Sequence, residues 1–187
     1  MPEALQENGE KPVILDLYCG VGTIGLYCAD EAEQIIGIEI VKDAVLDANR
    51  NAVVNGIVNA RYICGKAEEI LPLYTGQKKD AGRTANLKEA PSVKADPNLA
   101  EAISRASIAI LDPPRAGCRP ELLEAVIDLG VERIVYVSCD PATLARDIKF
   151  LGEHGYDLQE ATPVDMFPHT AEVETVCLLS QLKQKPT

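Results

Sequence analysis

Residues 132–148 read ERIVYVSCDPATLARDI, an apolar β-branched run that passes straight into a helical pattern. The run from 133 to 137 has the composition of a buried strand. Pro141 stands at the first helical position, where its missing N–H is no loss. Cys139 therefore falls in the turn between a strand and the helix that follows it. In open α/β sheets, that edge is where ligands bind. A structural cysteine has little reason to sit there, whereas a thiol at such an edge can be a nucleophile.

Outward from this unit, strands and helical patterns alternate. Residues 13–17 form a short apolar strand, followed by a glycine turn and a helix to about Asp30. A second strand spans 34–40, and an amphipathic helix spans 42–55. A third strand covers 60–64 with a short helix after Lys66, and a fourth covers 107–111. A helix opens at Pro120 and runs to Leu129, ahead of the Cys139 strand and its helix to about Gly152. The alternation predicts an α/β fold, a mostly parallel sheet with helices on both faces. Two late strands, 156–165 and 173–182, have no helical pattern between them and should close the sheet as an antiparallel β-hairpin. An ordinary dinucleotide-binding domain does not end that way. The stretch 75–104 is polar, contains GQKKDAGRT and lacks a core period, so it reads as an insertion or mobile loop, with a short helix over 97–105.

Composition bounds the function. A chain of 187 residues with 47% hydrophobic residues suffices for one α/β domain with a sizeable core. No apolar run approaches the roughly 20 residues of a membrane span. The acidic, polar start MPEALQENGEKP resembles neither a secretory signal nor a mitochondrial presequence, and a cytoplasmic protein is expected. The six cysteines show no CxxC pairing and no companion histidines, so free thiols fit better than disulfides or a metal. Cys64 and Cys177 read as small buried hydrophobes. A net charge of −11 argues against this chain alone gripping a nucleic acid, because phosphate contacts need clustered Lys and Arg.

Four motifs carry chemistry. ILDLYCGVGTIG puts Gly20, Gly22 and Gly25 in a GxGxxG turn after the first strand, with Glu39 ending the second strand where a ribose hydroxyl would be held. That pattern does not separate NAD from S-adenosylmethionine; Asp16 before the turn and the lack of a second nucleotide-binding half favour the latter. Ala67 and Glu68 follow the third strand, within reach of an adenine edge or simply as a helix start. In LDPPRAG, two prolines stiffen the turn and present Asp112 at the same sheet edge. In SCDPATLARD, the helix opening at Pro141 would favour the Cys139 thiolate, and Asp140 would oppose it unless its side chain caps the helix. In FPHTAEVETVCLL, Glu172 and Glu174 alternate with a period of two. If the last strand is antiparallel, Glu174 faces the crevice of Cys139, where a carboxylate is a candidate general base. A solvated strand end accounts for it equally well.

DLYCGVGT, DPPRAG, VSCDPATLARD and HTAEVETV occur in the order and form of the RNA uracil-C5 methyltransferases, the family that makes 5-methyluridine in 23S ribosomal RNA and in tRNA. The resemblance covers the chain outside 75–104. It implies a class I methyltransferase sheet (Rossmann-like) binding S-adenosylmethionine at Tyr18, Gly20, Glu39 and Asp112, to which the strand-end positions add Gly22, Ala67 and Glu68 as expected cofactor contacts. It also implies Cys139 as nucleophile and Glu174 as proton acceptor, with Asp112 and Arg115 beside the substrate. In the implied chemistry, the Cys139 thiolate attacks uracil C6 and makes C5 nucleophilic. C5 takes the methyl group, Glu174 removes the C5 proton, and elimination frees the thiol.

Members of that family carry an amino-terminal RNA-binding β-barrel and a central domain that have no counterpart here. Residues 1–187 are therefore expected to be a single catalytic domain, acting on RNA gripped by the missing parts and needing no metal or membrane. Two rivals remain within methyltransferases and their relatives. Asp-Pro-Pro resembles the [DN]PP[YF] motif of N-methyltransferases, although Arg115 replaces the aromatic. A non-catalytic cofactor-binding module would keep the fold without the reaction. An NAD-binding protein rests on GxGxxG alone.

Overall fold

All five side chains of β1 (Val13–Leu17) are buried, as expected of an innermost strand whose apolar run is interrupted only by Asp16. The computed structural model describes residues 10–75, 97–166, 168–170 and 172–182. Strands β2 (Gln34–Glu39), β3 (Ala60–Cys64), β4 (Ala106–Leu111) and β5 (Arg133–Ser138) follow the same direction as β1. The chain then forms β6 (Tyr156–Val164) and β7 (Glu174–Gln181), and β7 inserts antiparallel between β5 and β6. The sheet order is β3-β2-β1-β4-β5-β7-β6. The order reverses between β1 and β4, so the crevice at their carboxyl ends is the natural ligand position of this topology.

Strand period two sorts the core into the two faces of the sheet. Val13, Leu15 and Leu17 join Ala109 and Leu111 against α5 (Pro120–Leu129), α6 (Pro141–Glu153) and α3 (Ala67–Thr75). On the other face Ile14, Ile35, Ile108 and Ile110 pack on Ala29 and Ala32. Beside them, α2 (Lys42–Val54) presents Val45, Ala48 and Ala52 to Tyr62. Gly37 and Tyr62 are register partners, and a Cβ on Gly37 would lie 2.3 Å from the Tyr62 ring and 2.9 Å from Cys19 Sγ. Only glycine there admits the ring, which lies under the turn after β1 with its hydroxyl 3.4 Å from the Gly22 carbonyl.

The antiparallel hairpin at the end of the sheet is present. Three details differ from the sequence reading. The helix after the glycine turn stops early: α1 (Thr23–Tyr27) gives way to a 3-10 turn over Ala29–Glu31. The short helix read over 97–105 is present as α4 (Pro97–Ser104), but it sends Leu99, Ala102 and Ile103 into the main core where an insertion or mobile loop was expected; the remainder, 76–96, lies outside the described residues. Cys64 is half-buried, with its Sγ 3.7 Å from the Ile40 carbonyl, whereas Cys177 is buried as expected. Among the described residues no helix is long and apolar enough to cross a membrane.

Candidate functional site

The turn after β1 is shaped by backbone conformations that favour glycine. Gly20 and Gly22 have φ of 52° and 81°, and between β1 and these glycines Tyr18 has φ 63°. A positive φ is rare for a bulky residue and costs about 1–3 kcal/mol. The Tyr18 and Cys19 N–H groups both donate to the Ile38 carbonyl, at 3.0 and 3.2 Å, which holds the bend in place. A Cβ at Gly20 would meet nothing within 4 Å, so the turn opens onto free space. Glu39 binds its rim: Oε2 accepts from the Gly20 N–H at 3.0 Å and Oε1 from the Val41 N–H at 2.8 Å. The carboxylate is thus oriented at the crevice with lone pairs to spare.

Ala67 and Glu68 open α3 at the next strand end. The Ala67 side chain is buried in the core, which leaves only its backbone for a ligand. Glu68 extends to Arg119 at 3.7 Å, an ion pair across the crevice mouth.

Two carboxyls lie between the glycine turn and the fourth strand end. Asp16 is 1% exposed; its Oδ2 accepts from the Gly25 N–H at 2.9 Å, while Oδ1 has no partner. Burial pushes its pKa up to about 6, the Asp112 charge adds to the rise, and the Gly25 N–H opposes it. Asp112 is itself shifted upward, by burial first and by the charge of Glu174 second.

The Asp16 shift has a stability consequence. Its folded pKa of about 6 exceeds the ordinary aspartate value of 3.8, so between those values the folded chain holds the extra proton and stability falls as pH rises. Above pH 6 the full cost remains, about 3 kcal/mol at 1.36 kcal/mol per unit. Asp16→Asn keeps an acceptor for Gly25 and removes the charge. The expected result is a higher melting temperature at pH 7.5 for the ligand-free chain, with the gain vanishing below pH 4. Thermal denaturation across that range checks it, and a variant no more stable than wild type at pH 7.5 contradicts it.

Cys139 lies between β5 and α6, half-buried and free. The Ser138 hydroxyl closes its turn, accepting from the Asp140 N–H and donating to the Asp140 carbonyl, each at 3.1 Å. Asp140 caps α6, with Oδ1 accepting from the Ala142 and Thr143 N–H groups at 2.9 and 3.0 Å. These bonds hold the Asp140 carboxyl below its usual range. The β5–β7 pairing ends at Ser138↔Thr175, so one step further Cys139 and Glu174 stand next on their two strands. Glu172 does not share the strand face of Glu174. It precedes β7 and forms an ion pair with Arg115, which joins the Asp-Pro-Pro loop to the approach to the last strand. The structure therefore gathers Asp112, Arg115, Cys139 and Glu174 at neighbouring strand ends. Tyr18, Gly20, Gly22 and Glu39 lie one switch point away. His169 is exposed, with φ 72°.

The family model described as tRNA (uracil-5-)-methyltransferase matches residues 3–182. The chain belongs to that family. An uncharacterized RNA methyltransferase of Bacillus cereus is 45% identical over 92% of this chain and 32% of its own length. A solved tRNA (uracil-54, C5)-methyltransferase of Pyrococcus abyssi, in complex with S-adenosyl-L-homocysteine, has 32% identity and TM-score 0.67, covering 95% of this chain and 36% of that one. An rRNA methylase of Streptococcus thermophilus, at 14% identity and TM-score 0.62 over 92% of this chain and 88% of that one, shares the fold. The chain thus spans about a third of the length of the curated relatives it matches.

Sequence reasoning passed over one set of residues in this domain. Thr143, Arg146 and Asp147 follow Cys139 on one face of α6, and all three bond to the loop after Asp112. The available signal was their i, i+3, i+4 spacing.

Proposed function

We propose that this chain is the catalytic domain of an S-adenosylmethionine-dependent RNA uracil-C5 methyltransferase that works through a covalent bond between Cys139 and uracil C6. One observation carries the reading: the antiparallel register that brings Cys139 and Glu174 to adjacent strand ends, with Asp112 near enough to Glu174 to feel its charge. A sheet ending in a parallel strand would have sent residue 174 to the opposite edge.

The residues at the switch point suit the cofactor. Open space over Gly20, a Glu39 carboxylate held at the rim and the unpartnered Asp16 Oδ1 offer a close backbone approach and two anionic acceptors. Tyr18, Gly20, Gly22, Glu39, Asp112, Glu68 and the Ala67 backbone would hold it. When bound, S-adenosylmethionine supplies an electrophilic methyl group.

The remaining steps belong to this chain. Cys139 Sγ, as thiolate, forms a bond to uracil C6, and the displaced π electrons make an enolate with nucleophilic C5. Asp112 and Arg115 orient the uracil edge. C5 would take the methyl group as the methyl–sulfur bond of the sulfonium breaks and S-adenosylhomocysteine leaves, so that C5 becomes tetrahedral and still bears its proton. The Glu174 carboxylate takes that proton, the electron pair restores the C5=C6 bond, and the thiolate leaves. Two easier steps replace one hard one. A base inside an RNA stack must first swing out to reach Cys139, and that grip on RNA is assigned to the parts of the relatives that this chain does not span.

Isothermal titration with S-adenosylhomocysteine and, separately, NAD tests the cofactor half of the reading. Saturable binding of S-adenosylhomocysteine alone is the expected result. Binding of NAD, or of neither, contradicts it.

A further inference from the structure

The segment Thr143-Leu144-Ala145-Arg146-Asp147 follows the nucleophile yet takes no part in the chemistry above. Asp147 is 2% exposed on α6 and its carboxylate is fully engaged. Oδ2 accepts from the Cys118 N–H at 2.8 Å and the Tyr136 hydroxyl at 2.6 Å, and Oδ1 from Arg146 Nε at 2.8 Å. Arg146 Nη2 donates onward to the Ala116 carbonyl at 2.9 Å and the Cys118 carbonyl at 3.3 Å. One turn earlier, the Thr143 hydroxyl donates to the Arg115 carbonyl at 3.0 Å and also lies 3.2 Å from the Asp140 carbonyl.

Apart from the Tyr136 hydroxyl of β5, the bonds that leave α6 run to one loop. That loop, 113–118, follows Asp112 and carries Arg115, and it meets the first turns of the helix that begins after Cys139. The contact leaves no room for a side chain. Gly117 has φ 74°, and a Cβ on it would meet Arg146 Nη2 at 2.5 Å and Asp147 Oδ2 at 2.6 Å. A buried carboxylate is an expensive way to join a loop and a helix that apolar packing could join as well. What it adds is direction, since each hydrogen bond sets one distance and one angle.

We propose that Asp147 is a positioning residue for the reaction, which with Arg146 and Thr143 clamps loop 113–118 to α6 and so fixes Asp112 and Arg115 relative to Cys139. The inference rests on the function proposed above. It predicts that loosening the clamp slows the chemical step with little change in ligand binding, because a misplacement of about 1 Å costs up to about 100-fold in rate.

The test compares wild type, Asp147→Asn, Thr143→Val and Cys139→Ala in single-turnover methyl transfer from labelled S-adenosylmethionine to an RNA carrying the target uridine, well below each melting temperature. Thr143→Val keeps the side-chain shape and the Asp140 cap, so it reports on the clamp even if Asp147→Asn folds poorly. The expected result is a rate at least about tenfold lower for both clamp variants, with S-adenosylhomocysteine affinity and RNA KM within about twofold of wild type. Clamp variants that turn over at the wild-type rate, while Cys139→Ala is inactive, overturn the clamp alone. A wild-type chain that binds S-adenosylhomocysteine yet methylates no uridine at RNA concentrations that saturate binding overturns the clamp together with the function it serves.

Discussion

Cys139→Ala is expected to abolish methyl transfer while leaving S-adenosylhomocysteine binding within about twofold of wild type. The separation follows from where the groups stand. The glycine turn, Glu39 and Asp16 belong to β1 and β2, and none of their hydrogen bonds involves Cys139. The turn that holds Cys139 is closed by Ser138 and Asp140 through bonds that use no Sγ atom, so alanine leaves it intact. Loss of activity with full cofactor affinity therefore removes a nucleophile, not a fold. A nucleophile acting in concert with other groups is worth on the order of 10⁴-fold or more in rate. Filter-bound radiolabel checks turnover and calorimetry checks binding. Methylation at the wild-type rate would remove Cys139 from the mechanism.

Glu174→Gln is expected to do the reverse: it stops turnover by accumulating an intermediate. Glutamine keeps the shape of the first residue of β7 and its pairing with Val164, but cannot accept a proton as a carboxylate does. Addition of Cys139 to C6 and methylation at C5 do not depend on that acceptor. Release does, because C5 must lose its proton before the pair of electrons can expel sulfur. The methylated adduct should build up to near one equivalent per chain, visible as a band of protein bound to RNA on a denaturing gel. The same substitution removes a negative charge that raises the Asp112 pKa, so Asp112 should ionise more readily in the variant. Normal methylation with no trapped band would exclude Glu174 as the proton acceptor.

Much of the sheet was legible because the strands are short apolar runs with sharp ends. Strand β1 begins just after Pro12, and β4 stops at Asp112-Pro113-Pro114. The hairpin was legible from the lack of any helical period between β6 and β7. Where periodicity carries little information, the reading blurred. Ala29–Glu31 is made of residues that an α-helix accepts, yet it tightens into a 3-10 turn, and residue types do not distinguish the two. Helix α4 buries Leu99, Ala102 and Ile103 from a stretch that is polar on average, a face only eight residues long.

The site divides in the same way. Cys139 and Asp112 were marked by the turn chemistry around them, with proline fixing the helix start or the loop. Ser138↔Thr175 shows that the approach of Glu174 to Cys139 is a matter of register, which an alternating pair of glutamates alone does not specify. The clamp was out of reach for a different reason. Asp147 looks like a solvent-facing charge in the middle of an amphipathic helix, and the return of loop 113–118 onto α6, with the Tyr136 hydroxyl, buries it.

The most direct test of the central claim is peptide mass spectrometry on the Glu174→Gln chain after reaction with RNA and S-adenosylmethionine, followed by nuclease and protease digestion. The account predicts a peptide containing Cys139 that carries one added methylated uridine nucleotide, absent when Cys139 is also replaced by alanine. A nucleotide attached to any other cysteine, or a methylated product with no thioether at any stage, would contradict it.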